Sequence, residues 1–336
     1  MRLQGEEAFM HLFALGDSHE FGRRVAAALG VALAAHEERS FEDGEQKARP
    51  LINVRGGDAY VLHSLHGGPR ESPHDKLCRL LFFLATLRDA GAARVTAVVP
   101  YLAYARKDRR TKPHDPVTTR YVAQLFEAVG TDAVMTLEAH NLAAFQNAFR
   151  CRAEHLDTRA LFAPRLCGLV GTAPVVVASP DPGGVKRAQL FREHFERVLG
   201  REVGDAFMEK RRSSGVVSGE HLVGEVRGAT VVVVDDLIST GGTMLRAAEA
   251  CLKHGAARVL ALAAHGLFTG AAAQAIGAPA LARVLVTDSV PLFRLPPVLH
   301  GPRVEVVSAV PLFAKAIRRM HEGGSITALL EGDGAG

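Results

Sequence analysis

The stretch VVVVDDLISTGGTM, residues 231–244, concentrates groups that can do chemistry. Two adjacent carboxylates, Asp235 and Asp236, precede three hydroxyls, Ser239, Thr240 and Thr243, and two glycines, Gly241 and Gly242. Carboxylates accept hydrogen bonds from sugar hydroxyls and hold Mg2+ beside phosphates. A glycine-rich turn opening a helix presents backbone N–H groups, and the helix dipole favours an anion there. The ligand that suits both halves is a pentose phosphate, with phosphate in the turn and ring hydroxyls on the acids. The plain alternative is a strand–turn–helix corner with solvated acids. A glycine loop alone would fit that; the full run of acids, hydroxyls and glycines is more specific.

Other charged groups fall where strands are expected to end. The loop PYLAYARKDRR carries Arg106, Lys107, Asp108, Arg109 and Arg110. LEAH supplies Glu138 and His140, and ASPDPGG supplies Asp181 ahead of Gly183 and Gly184. MEKRRSSGVVSG brings Lys210, Arg211 and Arg212 into a segment that reads as a mobile glycine–serine loop. Singly, a basic run is an ordinary solvated face and a lone histidine an ordinary packed residue. Jointly, they stand at carboxyl ends of strands, where open α/β sheets bind ligands. No GxxxxGK[ST], GxSxG or HExxH motif is present, so nucleotide chemistry here is not of the P-loop kind.

The elements that must position these residues alternate along the chain. Val231–Val234 form a β-branched run suited to a strand covered on both faces. MLRAAEACLKHG then reads as a helix stopped by Gly255. Similar pairs recur: FMHLFALG with SHEFGRRVAAALG, RVTAVVP with TTRYVAQLFEAVG, and PVVVASP with GGVKRAQLFREHFERVLG. This alternation predicts an α/β protein with parallel sheets flanked by helices. Its rhythm restarts near residues 150–158, which predicts two similar domains, 1–155 and 156–336.

Composition bounds the rest. The chain has 336 residues and is 48% apolar, enough for two cores. Forty basic and 36 acidic residues give a formal charge of +4, too mild for a nucleic-acid binder. Cys78, Cys151, Cys167 and Cys251 lack CxxC spacing and read as reduced thiols of a cytoplasmic protein. Glu6 and Glu7 interrupt any signal-peptide pattern, and His265, Gln274 and Pro279 break the most apolar region, so no membrane span is expected.

Nearly end to end, the chain resembles the ribose-phosphate diphosphokinases, or phosphoribosyl pyrophosphate synthetases. The signatures are FEDGE (41–45), PYLAYARKDRR (100–110), EAH (138–140), SPDPGGVKRA (179–188), KRR (210–212), VVDDLISTGGT (233–243), VTDSVP (286–291) and SAVPLFAKAIRR (308–319). The acid–glycine loop alone is shared with phosphoribosyltransferases; the ordered set is particular to the synthetases. The resemblance implies two Rossmann-like, phosphoribosyltransferase-type domains. It also implies transfer of a diphosphoryl group from MgATP to the C1 hydroxyl of ribose 5-phosphate.

By the same resemblance, Phe41, Asp43, Gly44 and Glu45 match the loop that reaches the ATP base, often from a neighbouring subunit of a homo-oligomer. Arg106, Lys107 and Asp108 match ATP-binding positions, and His140 and Asp181 match Mg2+-site positions. Lys210 matches the catalytic lysine and Arg212 its companion. Asp235 and Asp236 match the ribose-binding acids, and Ser239, Thr240, Gly241, Gly242 and Thr243 the 5-phosphate loop. The chain departs from the pattern at Glu138, at Lys107 where glutamine is common, and at Ser239 where aspartate is usual. Two other readings accompany this one: the same chemistry on a different ribose phosphate, and a catalytically silent regulatory homologue. A phosphoribosyltransferase would have one such domain and no FEDGE loop.

Overall fold

In this computed structural model, residues 9–213 and 216–331 are described, the side chains of residues 210–220 excepted. The chain divides into two compact units, residues 1–157 with 310–336, and residues 158–309.

The first unit opens with β1 (Met10–Ala14) and α1 (His19–Leu29), followed by the hairpin β2 (His36–Ser40) and β3 (Gln46–Pro50). Then come β4 (Asp58–Leu62), α2 (Pro73–Asp89), β5 (Arg94–Val99), α3 (Thr118–Ala128), β6 (Ala133–Leu137), α4 (Leu142–Ala148) and β7 (Arg152–Leu156). Its main sheet has the order β1-β4-β5-β6-β7, all pairs parallel. After β1 this order follows the chain steadily in one direction. Strands β4, β5 and β6 are almost wholly buried, as their apolar sequences require when helices cover both faces.

The second unit contains α5 (Arg159–Val170), β8 (Val175–Ser179), α6 (Val185–Leu199), β9 (Gly204–Ser213), β10 (Val216–Val223) and β11 (Thr230–Ile238). It continues with α7 (Gly242–Lys253), β12 (Arg258–Gly266), α8 (Ala272–Gly277), β13 (Arg283–Thr287) and β14 (Val304–Val307). The sheet order is β10-β9-β8-β11-β12-β13-β14, antiparallel only at β9–β10 among the recorded pairs. From β8 the chain steps outward to β9, and from β11 it steps the opposite way to β12. The strand order therefore reverses between β8 and β11, which makes their carboxyl ends a topological switch point.

The four valines of β11 explain why the run is unbroken. Val231 and Val233 join the core formed with Met244, Ala247, Ala248 and Cys251 of α7. Val232 and Val234 join the opposite core, with Phe162 and Leu166 of α5 and Phe191 and Phe195 of α6. Each face of the strand needs its own apolar series.

Two sequence expectations are corrected here. MEKRRSSGVVSG, read as a loop, lies largely within the paired strands β9 and β10, where Lys210 stands opposite Glu220 and Arg212 opposite Val217. The final segment, read as part of the second half, belongs to the first unit. Its helix α9 (Val310–Glu322) buries Phe313, Ile317 and Met320, and Phe313 meets Phe21 of α1 edge-on at 5.7 Å. His321 Nδ1 lies 2.7 Å from Asp58, and Arg318 donates to the carbonyl of Leu29. α10 (Ile326–Glu331) closes the described chain. No helix among the described residues is long and apolar enough to cross a membrane.

Candidate active site

At the switch point, β11 outruns one neighbour. Its pairing with β8 ends at Val233–Ala178, whereas pairing with β12 continues to Ile238–Gly266. Asp235 and Asp236 lie within β11, two residues before its end, rather than beyond it. They occupy the stretch that β8 leaves uncovered. Asp236 is 2% exposed, and its N–H donates to Asp235 Oδ1 at 2.9 Å. Burial and the neighbouring Asp236 carboxylate push the Asp235 carboxyl well above the ordinary carboxylate range. Arg187 of α6 opposes this: its Nη1 is 3.4 Å from Asp235 Oδ1 and 3.4 Å from Asp236 Oδ1.

The loop that follows divides its labour. Gly241 precedes α7 with φ +77°, and a Cβ there would stand 2.8 Å from that of Ala275, so this glycine is required by the fold. Gly242 has no such constraint; a Cβ there would meet only the end of Arg246 at 3.3 Å and Thr240 Oγ1 at 3.8 Å. It opens α7, whose first-turn N–H groups have no partner within the helix. Thr240 is exposed and Thr243 half-buried, with Thr243 Oγ1 accepting from Arg246 at 3.4 Å. Ser239 is engaged elsewhere, its hydroxyl 2.9 Å from that of Thr269.

Asp181 lies just past β8. Its Oδ1 accepts from the N–H groups of Gly183 (2.9 Å) and Gly184 (3.1 Å), capping the tight turn Pro182–Gly184 that leads into α6. Lys210 and Arg212 are carried by β9, the neighbour of β8 on its other side, with their side chains outside the described residues.

In the first unit, Phe41–Glu45 form the tip of the β2–β3 hairpin. Phe41 N–H donates to Glu45 O at 2.8 Å, Gly44 N–H to Phe41 O at 3.1 Å, and Glu45 N–H to Asp43 Oδ1 at 3.0 Å. Phe41 is 40% exposed, with the Arg39 guanidinium 4.9 Å from its ring centroid. After β5, Arg106 is exposed. Lys107 pairs with Asp115 at 2.5 Å, and Asp115 also accepts from the N–H and hydroxyl of Thr111 and the N–H of Lys112. Those bonds, led by that of Lys107, hold Asp115 well below the usual carboxylate range. Asp108 accepts from Asn141 Nδ2 at 2.6 Å, which ties this loop to the segment beside His140. Glu138 adopts φ +45°, an uncommon backbone for a non-glycine residue, and so turns the chain sharply between β6 and His140.

The carboxyl ends of β1 and β4 hold a cluster that the sequence reading missed. Lys76 is fully buried, its Nζ 2.8 and 2.6 Å from the two Asp17 oxygens. Arg79 pairs with Glu71 and donates to Gln46 at 2.7 Å. Ser18 Oγ lies 3.2 Å from His63 Nδ1, while the buried His63 Nε2 has no partner among the described residues. Burial first, then Lys76 and Arg79, push His63 far below its ordinary range.

Arg187 was also missed, although a signal exists. Lys186 and Arg187 stand in the first turn of α6, where the helix dipole disfavours cations. Among the described residues, no group of three or more His, Cys, Asp or Glu side chains could hold a metal ion.

Comparisons with known proteins agree with this architecture. Residues 10–130 match the family described as the N-terminal domain of ribose phosphate pyrophosphokinase. Residues 158–267 match the phosphoribosyl transferase domain, and 216–331 the phosphoribosyl synthetase-associated domain. A ribose-phosphate pyrophosphokinase of Caldanaerobacter subterraneus subsp. tengcongensis is 35% identical over 321 residues, covering 95% of this chain and 97% of the relative. One from Pasteurella multocida is 34% identical over 320 residues, covering 95% and 98%. The crystal structure of phosphoribosylpyrophosphate synthetase from Mycobacterium smegmatis superposes with a TM-score of 0.84 at 31% identity, covering 94% of this chain and all of that one. With sequence likeness running the length of both units and the same fold in a solved relative, the chain belongs to the ribose-phosphate pyrophosphokinase family, enzymes that transfer a diphosphate group.

Proposed function

We propose that this chain transfers the diphosphoryl group of MgATP to the C1 hydroxyl of ribose 5-phosphate, yielding 5-phosphoribosyl 1-pyrophosphate and AMP. The observation that carries this reading is the loop 239–243 following an acid pair that β8 leaves uncovered at the switch point. An anion seated on the first-turn N–H groups of α7, with Thr240 and Thr243, leaves a sugar ring beside Asp235 and Asp236. Ser239 contributes by fixing the loop to Thr269.

The C1 oxygen attacks the β-phosphorus in line. The bond from that phosphorus to the α,β-bridging oxygen breaks, AMP leaves, and the hydroxyl proton passes to solvent. Such transfers depend on positioning and on cations facing the phosphoryl oxygens. Lys210 and Arg212 are assigned that role, and Arg106, Lys107 and Asp108 the nucleotide. Lys107 would exchange its Asp115 partner for a phosphate. Phe41, through its exposed ring, and Asp43, Gly44 and Glu45 serve the adenine of a neighbouring subunit in a homo-oligomer. Mg2+ would enter as MgATP, neutralising phosphate charge, and such an ion would need only one or two side chains rather than an all-protein cage. The hard carboxylate of Asp181 suits it, with His140 beside the nucleotide phosphates. The boundary between the domains is assigned near residues 155–158, with the last segment returning to the first unit, and the reaction to the cytoplasm.

Purified protein incubated with MgATP and ribose 5-phosphate, with nucleotides separated by chromatography, tests this. AMP accumulating only when both substrates are present is the expected result. Release of ADP, or no turnover in a folded protein, would contradict it.

A further inference from the structure

We infer that the turn 266–269 is a brace that presets the loop 239–243, with Thr269 as a positioning residue for the sugar phosphate. This rests on reading that loop as the seat of the 5-phosphate.

The brace grips the loop at its root. Pairing of β11 with β12 ends at Ile238–Gly266. Beyond it, the N–H groups of Leu267 and Phe268 both donate to the carbonyl of Ile238, at 2.9 and 3.1 Å. Thr269 then closes a two-point clasp on Ser239. Its N–H donates to the Ser239 carbonyl at 2.9 Å, and its hydroxyl lies 2.9 Å from the Ser239 hydroxyl. The Thr269 carbonyl accepts from the N–H of Ala272 at 3.2 Å, where α8 begins. On that short helix, Ala275 stands where a Cβ at Gly241 would come within 2.8 Å of it. The segment after β12 therefore meets the loop at both Ser239 and Gly241.

The backbone of the brace is unfavourable by itself. Phe268 adopts φ +47°, in the left-handed region that a bulky side chain rarely enters. A Cβ at Gly266 would collide with the Phe268 ring, so the turn also demands a glycine there. Burial of that ring in the core that includes Met244 and Ala247 of α7 offsets the strain. Strain that the core holds in place beside a ligand loop points to preorganisation. A loop fixed before its ligand arrives loses less freedom on binding it. The Ser239 hydroxyl is engaged with Thr269, which leaves Thr240, Thr243 and the first turn of α7 to meet the phosphate. Neither partner of the clasp is charged, so the brace adds no anion beside that phosphate.

Steady-state kinetics of the full chain with MgATP and ribose 5-phosphate test this in Thr269→Val, Thr269→Ser, Ser239→Ala and the double variant of Thr269→Val with Ser239→Ala. Thr269→Val keeps the shape and the backbone N–H but removes the hydroxyl. It should raise the KM for ribose 5-phosphate by about 3–10-fold, the range for one neutral hydrogen bond. The KM for ATP should stay within about twofold, below that range. Thr269→Ser restores the hydroxyl and should keep both KM values within about twofold of wild type. Thr269→Val and Ser239→Ala break the same bond, so the double variant should be no worse than the worse single one. Should Thr269→Val not fold, Thr269→Ala removes the hydroxyl without a methyl in its place, and the same outcomes apply. Four results would each overturn the inference: equal rises in both KM values, a serine variant as impaired as valine, effects that multiply in the double variant, or a melting temperature that falls while both KM values hold. Gly242→Val separates the two layers. If it leaves the ribose 5-phosphate KM unchanged, the loop is not the seat of the phosphate and the inference falls with it. If it raises that KM and Thr269→Val does not, the inference about Thr269 alone fails.

Discussion

The two units build parallel sheets from similar strands, yet they finish their strand ends differently. In the first unit the strand order after β1 runs one way, and the groups at the ends of β1 and β4 pair largely with one another: Asp17 with Lys76, Arg79 with Glu71, Ser18 with His63, whose Nε2 has no partner among the described residues. In the second unit the order reverses between β8 and β11, and the groups there are an acid pair facing Arg187 and a helix start whose first-turn N–H groups have no partner within the helix. Similar layers thus give one edge of mutually paired groups and one to which the sugar phosphate is assigned. Function lies in the groups placed at strand ends, not in the sheet that carries them.

Removing a charge should therefore have opposite consequences at the two edges. The largest effect on stability is expected from Asp17→Ala, which leaves the buried Lys76 ammonium unpaired. Unfolding free energy should fall by about 3–5 kcal/mol, as for a broken buried ion pair, while the KM for ribose 5-phosphate in the surviving folded protein stays unchanged. Denaturant titration and kinetics on one preparation measure both. A stable variant with impaired sugar binding would make the first edge the ligand site.

Lys210→Ala tests the second unit through rate. Turnover should drop by about 10²–10³, in keeping with the loss of one preorganised donor, with melting temperature and ATP affinity little altered. A loss under about fivefold, well short of that range, would remove Lys210 from the chemistry. Gly242→Val should act on binding. Its side chain displaces only the flexible end of Arg246 within the fold, so the protein folds, but the branched group fills the space a phosphate needs. The KM for ribose 5-phosphate should rise far more than that for ATP; equal rises would dissociate the loop from the sugar phosphate.

The smallest effect concerns the acid pair and stability. Because burial and Asp236 raise the Asp235 carboxyl in the folded state, the folded chain binds a proton that the unfolded chain has already released. Stability therefore declines as pH rises from the ordinary carboxylate range, about 4, toward the raised value. Asp235→Asn removes that proton-binding site. Its melting temperature should vary less with pH than that of the wild type and exceed it at the upper end of the range. Parallel curves would show that Asp235 is not held in a raised state.

Much of this was legible in the sequence because it rests on local pattern. The valines at 231–234 announce a strand with two covered faces, and the hydroxyl–glycine run announces a helix start after it. What escaped was decided by distant contacts. The strand HEERS before Phe41 lacks an apolar alternation, since its hairpin is largely exposed. The run KRRSSGVV reads as a loop because nothing local records that β9 gains its partners from β8 and β10. The apolar stripe of α9 does not say which unit it covers. Nothing local marks Lys76 as buried, because its partner Asp17 lies 59 residues away. Arg187 was overlooked because the acids it meets lie on β11, 48 residues away in sequence for Asp235.

The contrast between the two edges is tested most directly by backbone amide exchange with and without saturating ribose 5-phosphate. Slowed exchange across the loop 239–243 and the first turn of α7, with residues 15–18 and 63–68 unchanged, is the expected outcome. Protection at 15–18 and 63–68, or none across the 239–243 loop, would contradict it.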